Sequence, residues 1–179
     1  MESRRPLQAF DILGFSLCYE LGATNILEML DLAEIPLLAS DRVDQPLNDL
    51  AAPPLIFAGG PTATSNPEPY AAFFDFVALG DGEELLPEIS LVVADAKANG
   101  LSRSSLLQDL AQVPGVYVPS LYGQGPDGTS IVPLEPAAPA KILRLEASID
   151  SMGRSLKPVQ VQHWLAVQMG QSLRMTGVQ

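Results

Sequence analysis

At 179 residues with a net charge of −11 and one cysteine, the chain is long enough for one ordinary domain with a core, or a domain plus an appendage. Its ten basic residues are scattered singly apart from Arg4-Arg5, which excludes a nucleic-acid backbone as partner. No apolar run reaches the ~18 residues of a membrane span. Cys18 alone gives no intramolecular disulfide framework, so a cytoplasmic location is expected.

Charge is unevenly spread. All 21 acidic residues lie within 1–150, where seven Lys and Arg leave a net charge of −14. Residues 151–179 hold no acid, three cations (Arg154, Lys157 and Arg174) and five glutamines. That shift marks a compositional boundary.

In chain order, FDILGFSL (10–17) is a short apolar run read as a buried strand. TNILEMLDLA (24–33) places Ile26, Leu27, Leu30 and Ala33 at helical spacing, with Thr24 as the expected N-cap. Residues 40–54 are polar and proline-bearing, a loop. LIFAGG (55–60) is a second buried strand ending on two glycines. PTATSNPEPY is expected to begin as loop because of its three prolines, with a short helix near Tyr70. DFVALG (75–80) is a third strand, and Asp81-Gly82-Glu83-Glu84 opens a helix that Gly100 stops. A helix over 102–112 follows, capped by Ser102 or Ser104. PGVYVPSLYG and TSIVPL then read as two short strands joined by GPDG. Such alternation predicts an α/β fold with a mostly parallel sheet. The expected divisions are 1–100, an α/β domain; 101–146, a helix plus short strands; and 147–179, an atypical basic tail.

Gly59-Gly60 sits at the carboxyl end of a strand, where open α/β sheets bind ligands; the plain alternative is a tight strand-to-loop turn. Gly80-Asp81-Gly82-Glu83 is a helix start whose acids already complement the dipole and repel an anion, which favours a structural role. Leu85 stands where a third glycine would complete GxGxxG, so there is no dinucleotide fingerprint. Ser16, Tyr19 and Glu20 follow the first strand and either face a ligand or simply pack and solvate. Cys18 has no neighbouring His or Lys to activate it, and His163, the single histidine, has no metal-ligand cluster around it. No catalytic or metal residue is assigned.

Three ordered blocks carry a resemblance: FDILGFSLCYELGATNILEMLDLAEIPL, LIFAGGPTATSNPEPYAAFFDFVALGDGEELLPEI and LAQVPGVYVPSLY. Together, over residues 1 to about 145, they resemble the cobalamin-binding N-terminal region of B12-dependent radical S-adenosylmethionine (radical SAM) proteins. The resemblance implies an incomplete flavodoxin-like (Rossmann-like) parallel sheet with flanking helices, the corrinoid lying over the carboxyl ends of the strands. It maps Gly59, Gly60 and Pro61 to the corrinoid-facing turn, and Ser16, Leu17 and Tyr19 to the loop after the preceding strand. It also implies two strand–helix units ahead of the first strand seen here, which would place 10–17 inside the sheet. The CxxxCxxC motif that holds a [4Fe–4S] cluster for S-adenosylmethionine cleavage in the full-length family has no counterpart, as no cysteine follows Cys18. The expected function is therefore a corrinoid-binding module or fragment, not catalytically competent alone. The expected partners are a corrinoid or the radical SAM portion, with self-association through an exposed sheet edge. The alternative is a non-enzymatic interaction module that pairs that edge with another protein. The tail from 147 resembles nothing in the family; a frame shift or an added amphipathic helix over Val159–Met169 would each produce it.

Overall fold

The protein is described by a computed structural model covering residues 5–49 and 51–144, with the backbone of short antiparallel pairs formed by Leu143–Arg144 with Val159–Gln160 and by Ser148–Ile149 with Ser155–Leu156. The remainder of the basic tail lies outside the described residues. No helix among the described residues is long and apolar enough to cross a membrane.

Three parallel strands, β1 (Ile12–Ser16), β2 (Leu55–Gly59) and β3 (Phe76–Ala78), lie side by side, and β4 (Val116–Tyr117) adds antiparallel to β3. The order is β1-β2-β3-β4. Residue alternation sends each strand's side chains to two separate cores. Leu55, Phe76 and Val116 meet α3 (Gly82–Asn99) and α4 (Arg103–Leu110) through Leu85, Ile89 and Leu106. Leu13, Ile56, Val77 and Tyr117 meet Ile26 and Leu30 of α1 (Gly22–Leu32) on the other face. Both faces are covered, which is why these strands are continuous apolar runs. The α/β class and the partial flavodoxin-like sheet follow from this arrangement. The division expected at residue 100 falls inside the core shared by α3, α4 and β4.

Gly14 makes room within the sheet. A Cβ there would lie 2.5 Å from the Phe57 ring, which stacks on Phe76 at 4.9 Å between centroids.

Several local expectations need correction. Helix α1 starts at Gly22, because Gly22 and Ala23 already donate to Tyr19 O and Glu20 O; Thr24 is inside it and donates its hydroxyl to Leu21 O at 2.9 Å. Pro61 opens a helix, α2 (Pro61–Ser65), rather than a loop, since proline at the first helical position gives up only an N–H that would go unpaired. A 3-10 turn over Glu68–Phe73 stands where a short helix was expected near Tyr70. The segment 114–123 does not form one strand. Its first half joins the main sheet as β4, and its second half, β5 (Tyr122–Gln124), pairs with β6 (Ile131–Pro133). The α3 stop at Gly100 and the Ser102 cap, whose Oγ accepts from Ser105 N, agree with the sequence.

At the amino ends of β2 and β3 sits a buried ionic cluster. Asp75, 3% exposed, takes Arg103 through both carboxylate oxygens (3.1 and 2.7 Å), Arg42 Nη1 at 3.1 Å and the Ile56 N–H at 2.7 Å. Arg42 also donates to Pro36 O, Leu37 O and Phe73 O, and Arg103 to Pro53 O and Pro54 O. Burial pulls the Arg42 guanidinium below its usual range, and Asp75 opposes that shift. Two cations held by one carboxylate make its loss severe, because both would remain buried and uncompensated. Asp75→Asn is expected to cost about 3–5 kcal/mol in urea unfolding. An unchanged midpoint would show that the cluster is not the anchor of this edge.

Candidate functional site: the carboxyl edge of the sheet

The strand alternation brings three chain segments to one edge: Ser16–Tyr19 after β1, Gly59–Pro61 after β2 and Leu79–Gly82 after β3. Ser16 pairs in register with Gly59. The Leu17 N–H donates to Gly59 O at 2.8 Å, and the Thr62 N–H donates to Leu17 O at 3.0 Å, so the first two segments are laced together through backbone.

Gly60 makes this lacing possible. Its φ is +94°, and a Cβ would sit 3.0 Å from both Leu17 O and Ser16 Oγ. Gly59 differs, since a Cβ there would meet only Ala78 O and Cβ at 3.6 and 3.7 Å, ordinary contact distances. Pro61 is exposed at the start of α2. Ser16 is exposed, with Oγ 3.4 Å from Cys18 Sγ. Tyr19 is 56% exposed, whereas Leu17 is fully buried and offers the edge nothing but its peptide. Five of the six residues singled out by sequence thus present surface at one edge, and Leu17 is a core residue beneath it.

Beside them, Gly80 donates its N–H to Thr64 Oγ1 at 3.4 Å, and Asp81 occupies the N-cap position of α3 in extended conformation without a side-chain capping bond. Glu20, Asp81 and Glu83 are exposed here. The edge is backbone-rich and acidic. That composition suits an uncharged or amide-bearing planar ligand better than a polyphosphate.

A cleft of about 740 Å³ lies elsewhere, at the amino ends of the strands, between Leu38, Phe74, Leu107, Tyr117 and Tyr122. None of the six candidate residues lines it. Tyr117 donates its hydroxyl to Glu68 Oε1, and Tyr122 donates to Pro139 O at 2.8 Å. Burial raises both phenols, Tyr122 to about 12, so neither hydroxyl ionises near neutrality. Asp44, at the cleft rim, is held below the usual carboxylate range by the Ser104 N–H and hydroxyl. Sequence reasoning missed this cleft, whose walls come from four separated segments. Among the described residues no group of three His, Cys, Asp or Glu side chains forms a metal site.

The family model for the N-terminal region of radical SAM proteins matches residues 1–119. The chain belongs to this family. No curated protein and no solved structure gives a match. In this radical SAM N-terminal region, the match spans β1 through β4 and therefore includes the whole carboxyl edge.

The two glycines are predicted to separate cleanly. Gly60→Ala should destabilise the fold by about 1–3 kcal/mol, the cost of a strained left-handed residue with a backbone clash. Gly59→Ala should shift the urea midpoint little. Equal effects at both positions would contradict the assignment of the turn's strain to Gly60.

Proposed function

We propose that the chain is a corrinoid-binding module of a radical SAM protein, contributing binding surface rather than catalytic groups. The observation that carries this reading is the edge at Gly59: a bare, half-buried backbone at a strand end, flanked by exposed Pro61, Ser16 and Tyr19. A macrocycle needs a flat surface free of projecting side chains, and glycine at a strand terminus supplies it. Membership of the radical SAM N-terminal family and the partial flavodoxin-like sheet support the same reading. The acids at the rim accept hydrogen bonds from amide groups, which a corrinoid carries on its periphery. Leu17 would act only by positioning the Ser16 and Gly59 backbones.

The reading is tested by equilibrium dialysis of the full chain against hydroxocobalamin, followed by its visible absorbance. Weak binding, with a dissociation constant in the range of about 0.1–1 mM, is expected. Gly59→Val should weaken it at least about tenfold by placing a branched side chain on the edge. A variant in the opposite cleft, Gln124→Ala, should not change it. Absence of binding at millimolar hydroxocobalamin, or binding indifferent to Gly59→Val, would overturn the reading and leave the interaction-module alternative.

A further inference from the structure

The cleft at the amino ends of the strands, about 740 Å³, has the size of a site for a small organic molecule. Most of its wall is apolar, from Leu38, Phe74, Leu107 and Ile131. The Tyr117 and Tyr122 rings stand together in it, 5.2 Å between centroids and tilted by 52°.

Three carboxylates and two guanidiniums share the lining, which leaves it one negative charge in excess. Their partners tell them apart. Arg42 and Arg103 each already give four hydrogen bonds, to Asp75 and to backbone carbonyls, so little of either guanidinium is left for a ligand. Asp75 is matched by both, and Asp44 accepts from the Ser104 N–H and hydroxyl. Glu68 differs. Among the described residues, the Tyr117 hydroxyl is its side chain's one donor and no cation forms a salt bridge with it. The neighbouring phenols sharpen the contrast, because each needs an acceptor when buried. Tyr122 uses the neutral Pro139 carbonyl at 2.8 Å. A carboxylate is a costlier acceptor for Tyr117, since a half-buried charge loses hydration that one hydroxyl does not replace. A cation brought by a ligand supplies the missing compensation.

We infer that the cleft binds a small organic ammonium, a protonated primary amine on a flat apolar body. The phenol takes Glu68 Oε1, which leaves Oε2 and the lone pairs of the Tyr117 oxygen as adjacent acceptors for the ammonium N–H groups. The π-systems of Tyr117 and Tyr122 favour the same charge, and the apolar wall takes the body. An anion of the same shape would meet Glu68 and guanidiniums that are already engaged. The inference does not rest on the corrinoid reading, none of whose residues line this cleft.

Calorimetric titration of the full chain with tryptamine tests it, with indole-3-propionate as an anionic probe of similar shape. Tryptamine should saturate one site with a dissociation constant of about 0.1–1 mM, in keeping with its size, and indole-3-propionate should bind at least about tenfold more weakly. Glu68→Gln keeps an acceptor for Tyr117 but removes the charge, and should weaken tryptamine about tenfold or more. A chain of net charge −11 attracts any amine diffusely, and losing one of its 21 acids would hardly alter that background. Ala71→Leu, which fills the cleft without touching the carboxylate, should weaken both probes. It carries the test should Glu68→Gln unfold, as judged by circular dichroism. Gly59→Val should leave the tryptamine affinity unchanged. Failure of tryptamine to saturate below about 10 mM, equal or tighter binding of indole-3-propionate, or an affinity indifferent to a folded cleft variant overturns the inference.

Discussion

Asp75 ties together segments that are distant in sequence and would otherwise leave buried carbonyls unpaired. Its two oxygens hold Arg42 from the loop before β2 and Arg103 from the start of α4, and its peptide N–H bonds Ile56 O in the neighbouring strand. Through the two guanidinium groups, five backbone carbonyls between Pro36 and Phe73 gain donors. Arginine suits this position because its fork presents five N–H groups in fixed directions and keeps its charge when buried. Lysine could reach only some of these acceptors. The exposed Lys97–Asp11 pair, with both side chains more than 40% accessible, adds little by comparison.

Anchoring the amino ends of the strands has a consequence at the other end. The carboxyl edge is shaped by backbone: a left-handed Gly60, a proline-led helix and the start of α3, with Asp81 at its N-cap position. Rigid strands held from below allow short segments above to be positioned without bulky side chains. This separation explains why the one edge has buried charge and the other has bare peptide. It also refines the meaning of the glycine pair. Gly60 is required by the turn itself, so only Gly59 is available to be explained by a ligand.

Strands and helices were legible in the sequence because burial on both faces leaves unbroken apolar runs such as LIFAGG and DFVALG, and because Ser102 and Gly100 are local signals with local causes. Errors arose where geometry overrides composition. Three prolines suggested loop, but proline at the first helical position starts α2. The run VYVPSLY suggested one strand, but the turn at Pro119–Leu121 divides it between two sheets. The carboxyl edge could be located from strand ends alone, whereas Leu17's burial depends on the helix above it. The ionic cluster was not legible at all. Asp75 opens an apolar run, while its partners lie 33 positions before and 28 after it; nothing in spacing links them.

The two margins of the described sheet are built differently. At β4 the strand is two residues long, Pro119 follows at once, and the β5–β6 hairpin continues from it. A short edge strand that runs into proline offers little for another chain to pair with. At β1 the strand has five residues in register with β2, and its apolar side chains face both layers. Residues selected for burial on two faces gain most from a further strand, because extending the sheet extends both layers at once. Among the described residues, then, the β4 margin is closed by its own continuation, whereas the Ile12, Gly14 and Ser16 peptide groups of β1 face away from β2.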